Sequence, residues 1–228
     1  MSEEFRARLI EAYPESTWSI LARGVREGVL IADDVRRSTP FLMTLVGTDQ
    51  KGMLRRAAIM WRIQALCRSG ELPFKAVEIR VDNAPVHLLS ITSQGIEIHI
   101  VRTDDADAFP VEAQIRQDRR ASNVADLFED GKLVPLHKAL ESVPLLFGYL
   151  AWGATPKGKL THLCAGMPDK HQTEWLAHLD ILKHVTMTES SRGSAATKSS
   201  APNPALLLKF REEIARSLEE EPDTGEVE

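Results

Sequence analysis

Between residues 74 and 102 the chain carries three strand patterns joined by very short connections. Val77, Ile79 and Val81 alternate with Glu78 and Arg80, a second apolar run covers 86–92, and Ile96, Ile98 and Ile100 alternate with Glu97, His99 and Val101. A period of two sends successive side chains to opposite faces of a sheet. The connections are Asp82-Asn83-Ala84-Pro85 and Ser93-Gln94-Gly95, both turn sequences. Parallel neighbours need a crossover of about a dozen residues or more, so these strands must run antiparallel. The pattern predicts a meander with one buried face, and that face needs a cover.

The cover is predicted to be the helix just upstream. Thr48 or Asp49 can cap it and Gly70 can end it, with Met53, Leu54, Ala57, Ala58, Trp61, Ala65 and Leu66 as a wide apolar face. Ahead of it, 3–12 and 16–26 read as short helices split by Pro14, with stripes of Phe5, Leu9, Ala12 and of Trp18, Leu21, Ala22, Val25. Gly24 and Gly28 read as their end, and the apolar run 41–46 fits helix or strand equally. Downstream, 111–128 reads as partly helical and 133–141 as a short helix. Residues 145–152 and 159–165 form a hairpin around Thr155-Pro156-Lys157-Gly158, expected to join the same sheet because two strands alone are marginal. A helix from about 171 to 184 would turn Trp175, Leu179 and Leu182 inward. The fold class is α+β: an antiparallel meander packed by a central helix, with flanking helices and a flexibly tethered C-terminal helix.

Three segments follow. Residues 1–187 form one globular domain, and 188–204 have linker composition. Residues 205–228 form an acidic amphipathic helix and tail, opened by Asn203 as cap and Pro204 at the first helical position. Its stripe is Leu207, Phe210, Ile214 and Leu218, a spacing that suits a groove on a protein partner or on the body of the chain itself. From Glu212 onward there are eight acids and one base, more than the whole net charge of −5. That overall charge disfavours indiscriminate nucleic-acid binding.

Several classes are excluded. The two cysteines, Cys67 and Cys164, share no motif with other ligands, so neither a disulfide framework nor a zinc ribbon is expected, and a reducing, cytoplasmic setting is. The first residues lack a signal-peptide pattern, and no apolar run approaches the roughly 20 residues of a membrane span. No Gly-x-Ser-x-Gly elbow, Walker loop or GxGxxG occurs.

Three groups of residues could carry chemistry. Asp82 precedes the second strand, while Glu97 and His99 project together from the third. With the preceding helix, this order loosely resembles the core of restriction-endonuclease-like nucleases, which implies two carboxylates holding a divalent ion that activates water. The third strand departs from that pattern in lacking a lysine. His171, Glu174 and His178 would share one face of the expected helix at metal-ligand spacing. Arg116, Arg119 and Arg120 would form a phosphate clamp for nucleic acid. The reading is a regulatory or interaction protein that engages a protein partner through its C-terminal helix, with nucleic acid at the basic patch. The alternative is a metal-dependent phosphodiesterase, and only that alternative calls for a cofactor, a divalent metal.

Overall fold

The computed structural model of the protein describes residues 2–81, 87–123 and 146–191, together with Glu212. Helix α1 (Glu3–Ala12) forms as its stripe predicts, burying Phe5, Leu9 and Ala12. A 3-10 turn at Glu15–Thr17 follows Pro14, and helix α2 then runs from Trp18 to Ser38. The glycines expected to end it lie inside it. A Cβ on Gly28 would sit 2.6 Å from the Cα of Ile59, and one on Gly24 would sit 2.7 Å from the Leu66 side chain. One turn apart, they let α2 approach helix α4 (Lys51–Arg68) at a distance no larger residue permits. Glycine costs a helix about 1 kcal/mol, and here close packing offsets it.

The 41–46 run is neither a strand nor part of a long helix. It forms a 3-10 turn at Pro40–Met43 and a short helix α3 (Leu45–Asp49), capped by Thr44 Oγ1, which accepts from the Gly47 N–H at 3.2 Å. Helix α4 ends at a left-handed Gly70, as expected, whose N–H donates to the Cys67 carbonyl. Its buried face differs from the expected one: Ala58, Ile59, Ile63 and Leu66 are buried, Met53 is exposed and Trp61 is half-buried. The helix touches both α2 and the sheet, so its buried stripe is set by two neighbours rather than by its largest side chain. Arg55 is also buried on it, paired with Asp33 of α2.

The sheet has six strands in sequence order: β1 (Lys75–Arg80), β2 (His87–Ser93), β3 (Ile96–Arg102), β4 (Leu146–Ala154), β5 (Leu160–Pro168) and β6 (Trp175–Asp180). The β2–β3 connection is a two-residue turn with positive φ at both Gln94 (43°) and Gly95 (78°), the type that matches strand twist. The hairpin β4–β5 joins the main sheet, but β4 pairs with β3 in parallel, so the meander is antiparallel everywhere except there. Residues 103–145 are long enough for the crossover that a parallel pair demands.

One face of the sheet meets the helices. Leu89, Ile91, Ile96, Ile98, Ile100, Leu150 and Leu163 enter one core with α1, α2, α4 and helix α6 (Ile181–Ser191). The other face is not solvent, as a one-faced meander would have it: β3 is buried at every position but its last. Residues 103–123, including helix α5 (Gln114–Arg120), cover it. At the edge, Val77 pairs with Ser90 and lies exposed on this second face, whereas Ala76 packs toward the helices, so the apolar side of the β1 alternation is not the side that meets the core.

The expected helix at 171–184 is a correction. Asp169 accepts from the N–H groups of His171, Thr173 and Glu174, and Gln172 has φ +57°, which fixes a turn. Strand β6 follows it, and α6 begins only at Ile181, where Asp180 Oδ1 caps the Lys183 N–H at 2.9 Å. The segment from 188, read as linker, is still helical through Ser191. The chain divides into two compact units, Met1–Ser194 and Ala195–Glu228. In the second, only Glu212 is described, as an exposed helical residue, so the stripe Leu207, Phe210, Ile214 and Leu218 lies outside the described residues. So do Asp82, the expected 133–141 helix and residues 192–204 of the expected 188–204 linker. Among the described residues no helix is long and apolar enough to cross a membrane.

Candidate functional site

The second face of the sheet carries a row of buried polar groups. The strand register puts Ser90 opposite His99 and His99 beside Tyr149, with Glu97 beside Phe147. Glu97, 2% exposed, is fully engaged: Oε1 accepts from Ser90 Oγ at 2.7 Å and His99 Nε2 at 2.9 Å, and Oε2 from Arg119 Nη1 at 3.1 Å. Burial alone would push this carboxyl up. The hydrogen bonds from His99 and Ser90, with the charges of His99 and Arg119, outweigh it and hold the carboxyl below its usual range. Glu97 and His99 therefore do project together, as the alternation implies. Their environment is a closed network instead of an open metal cradle, because every carboxylate oxygen already has a donor. His99 stacks edge-on against Phe147, and among the described residues its Nδ1 has no partner.

A second network starts at Arg120. Helix α5 is present where a partly helical segment was expected, but its three arginines diverge. Arg120 is 2% exposed and forks onto Glu112 at 2.9 and 2.8 Å, with Tyr149 Oη and Gln172 Oε1 as further acceptors. Arg119 turns to Glu97, and Arg116 reaches the Val111 carbonyl. Of the three arginines expected to clamp phosphate, carboxylates thus already partner two, Arg119 and Arg120.

The proposed His171, Glu174, His178 set loses its basis with the helix. His171 and Glu174 lie in the Asp169 turn, while His178 on β6 bonds the Ala106 carbonyl at 2.9 Å and, with Trp175 Nε1 on the Asp107 carbonyl, pins residues 103–110 over the sheet. Among the described residues no three His, Cys, Asp or Glu side chains are placed to hold a metal ion.

Two surface features complete the candidates. Arg116 lines a cavity of about 180 Å³ together with Arg56 and Arg102. The corner between α2 and α4 exposes large apolar side chains, with Phe41 69% and Leu45 88% exposed. The sequence held the signal for the corner, an apolar run without period, but periodicity could not say which way it faced. No protein-family model, curated protein or solved structure matches this chain.

Proposed function

We propose that this is an interaction protein that binds a protein partner through the apolar corner at residues 41–53. The observation that carries the reading is the clustering of exposed apolar side chains. Of the eight large hydrophobics exposed among the described residues, five fall there: Phe41, Met43, Leu45, Val46 and Met53. Scattered exposed apolar residues are ordinary, whereas a cluster marks a surface that something covers.

The corner is also built to keep its shape. Thr44 caps α3, Thr48 Oγ1 donates to the Thr44 carbonyl at 3.0 Å, and Gly47 is buried so tightly that a Cβ would lie 2.4 Å from the Cα of Leu42. A rigid apolar surface binds at less entropic cost than a loose loop. Positive charge adjoins it. Lys51 is held below its usual range by burial and then by Arg55, with Arg36 and Arg37 adding to this and Asp33 opposing. The partner this chemistry fits is an apolar protein segment flanked by acids. The C-terminal stripe of Leu207, Phe210, Ile214 and Leu218 belongs to the same reading as a second partner-binding element.

The test places a photo-crosslinker at position 45 of the full chain, identifies the captured partner, and measures its affinity after purification. Leu45→Asp and Phe41→Asp should each weaken binding at least about tenfold, since burying one such side chain contributes roughly 1.5–3 kcal/mol. Both should melt as the unmodified protein does. If the captured species is a second copy, sedimentation of the two variants should show monomer. Unchanged affinity in both variants refutes the reading.

A further inference from the structure

Independently of the partner surface, we infer that Arg56, Arg102 and Arg116 form a binding site for the phosphate group of a small anionic ligand. The three guanidinium groups come from α4, from the last residue of β3 and from α5, and they line one cavity of about 180 Å³. The cavity opens where the sheet parts. β2–β3 pairing stops at Ser90 and His99, while β3 stays paired with β4 as far as Arg102 and Trp152. Ile100, Val101, Pro110 and Val111 complete the lining, and no acidic side chain is among the described lining residues.

That absence is unusual within this protein. Arg55, Arg62, Arg119 and Arg120 each meet a carboxylate. Among the described residues Arg56, Arg102 and Arg116 make no ion pair; Arg56 and Arg116 reach only the backbone carbonyls of His87 and Val111. Arg116 Nε is buried with no partner among the described residues. Arg56 is held below its usual range by burial and by the charge of Arg116 beside it, the signature of two cations brought together without compensation.

Arg102 adds a third unfavourable contact. Its Nη1 lies 3.2 Å from where a Gly52 Cβ would be, on the first turn of α4. That turn carries no acid and Gln50 gives it no side-chain cap, so a cation rests near the positive end of a helix dipole. Each of these costs turns favourable when a dianion enters. Guanidinium forks match phosphate oxygens in pairs, and the apolar walls strengthen the attraction. The volume falls below the roughly 300 Å³ at which pockets for drug-sized ligands begin, so it suits one phosphate group and a few further atoms.

The test titrates inorganic phosphate and phenyl phosphate into the full chain, following thermal unfolding and ³¹P line width against sodium chloride of equal ionic strength. Both ligands should raise the melting temperature and broaden the phosphorus signal. Phenyl phosphate should bind more tightly as pH rises through about 6, where its second proton leaves. Arg102→Gln and Arg116→Gln should each weaken binding at least tenfold. Arg102→Gln should leave the ligand-free melting temperature unchanged or higher, since it removes a repelled cation; a structural arginine would lower it. Oligonucleotides with and without a 5′ phosphate separate the sources. If they bind alike while inorganic phosphate does not bind, a strand-backbone site replaces the small-ligand site. Equal stabilisation by phosphate and chloride, or phosphate binding untouched in Arg102→Gln, also overturns the inference.

Discussion

Replacing Asp33 by alanine tests how α2, α4 and the β4–β5 turn are held together. Arg55 Nε and Nη2 fork onto Asp33 Oδ1 and Oδ2 at 2.8 and 2.5 Å, and both side chains are buried. The same guanidinium donates to the Thr155 carbonyl at 3.1 Å, tying the turn to the pair. Without Asp33 a charged guanidinium stays buried with only carbonyl partners, a change that typically costs 3–5 kcal/mol. For a chain of this size each kcal/mol lowers the melting temperature by about 2–4 °C, so a fall of roughly 6–20 °C is expected. Urea denaturation gives the same loss as a lower midpoint at unchanged slope. Salt should matter little, because buried pairs are weakly screened. The double variant Asp33→Leu with Arg55→Met removes both charges and should recover most of the stability, losing only bonds to turn carbonyls that water can reach. A cost below about 1 kcal/mol for Asp33→Ala, or a double variant as unstable as the sum of the two single ones, would refute this reasoning.

Glu97 gives a pH dependence whose sign follows from its lowered carboxyl. Its stabilisation is full above the unfolded value of about 4.3 and is lost as pH falls through the lower folded value, so Glu97→Gln should flatten the acid limb of an unfolding-versus-pH curve while destabilising the protein at neutral pH. Gly153→Ala would put a methyl 2.2 Å from His162 Cε1, whose ring is held by Thr103 Oγ1 at 2.9 Å. It should cost about 1–3 kcal/mol in urea denaturation, and a second change of His162→Ala should recover part of that.

Much of the layout was legible because the signals were local. Alternation placed β1 and β3, turn sequences between apolar runs placed β2 and the hairpin strands, and Gly70 closed α4 as a glycine should. The failures were long-range. Gly24 and Gly28 look like helix stops until Ile59 and Leu66, far along the chain, are found against them. The residues His171, Glu174 and His178 have helical spacing, but Asp169 gathers three backbone N–H groups and settles the turn first. Glu97 and His99 were seen to share a face of β3. That this face would be covered depends on residues 103–123, whose sequence shows no strong period. Arg120 is the same lesson in electrostatics: three arginines on a helix suggest a free cationic face, and only Glu112 and Tyr149 reveal that one of them is internal.

Helix α1 is stitched at its start to β6, the last of the six described strands. The Ser2 N–H donates to the Leu176 carbonyl at 2.8 Å, and α1 lies against β5 and β6. During synthesis, then, α1 leaves the ribosome long before its docking surface exists, and its stripe of Phe5 and Leu9 must wait through some 165 further residues, on the order of ten to thirty seconds at usual elongation rates. The α2–α4 pair and the β1–β3 meander can assemble in that interval from near neighbours. Strands β4 to β6 follow the meander in the chain, so the parallel β3–β4 seam and the docking surface of α1 can form only after those first contacts are available.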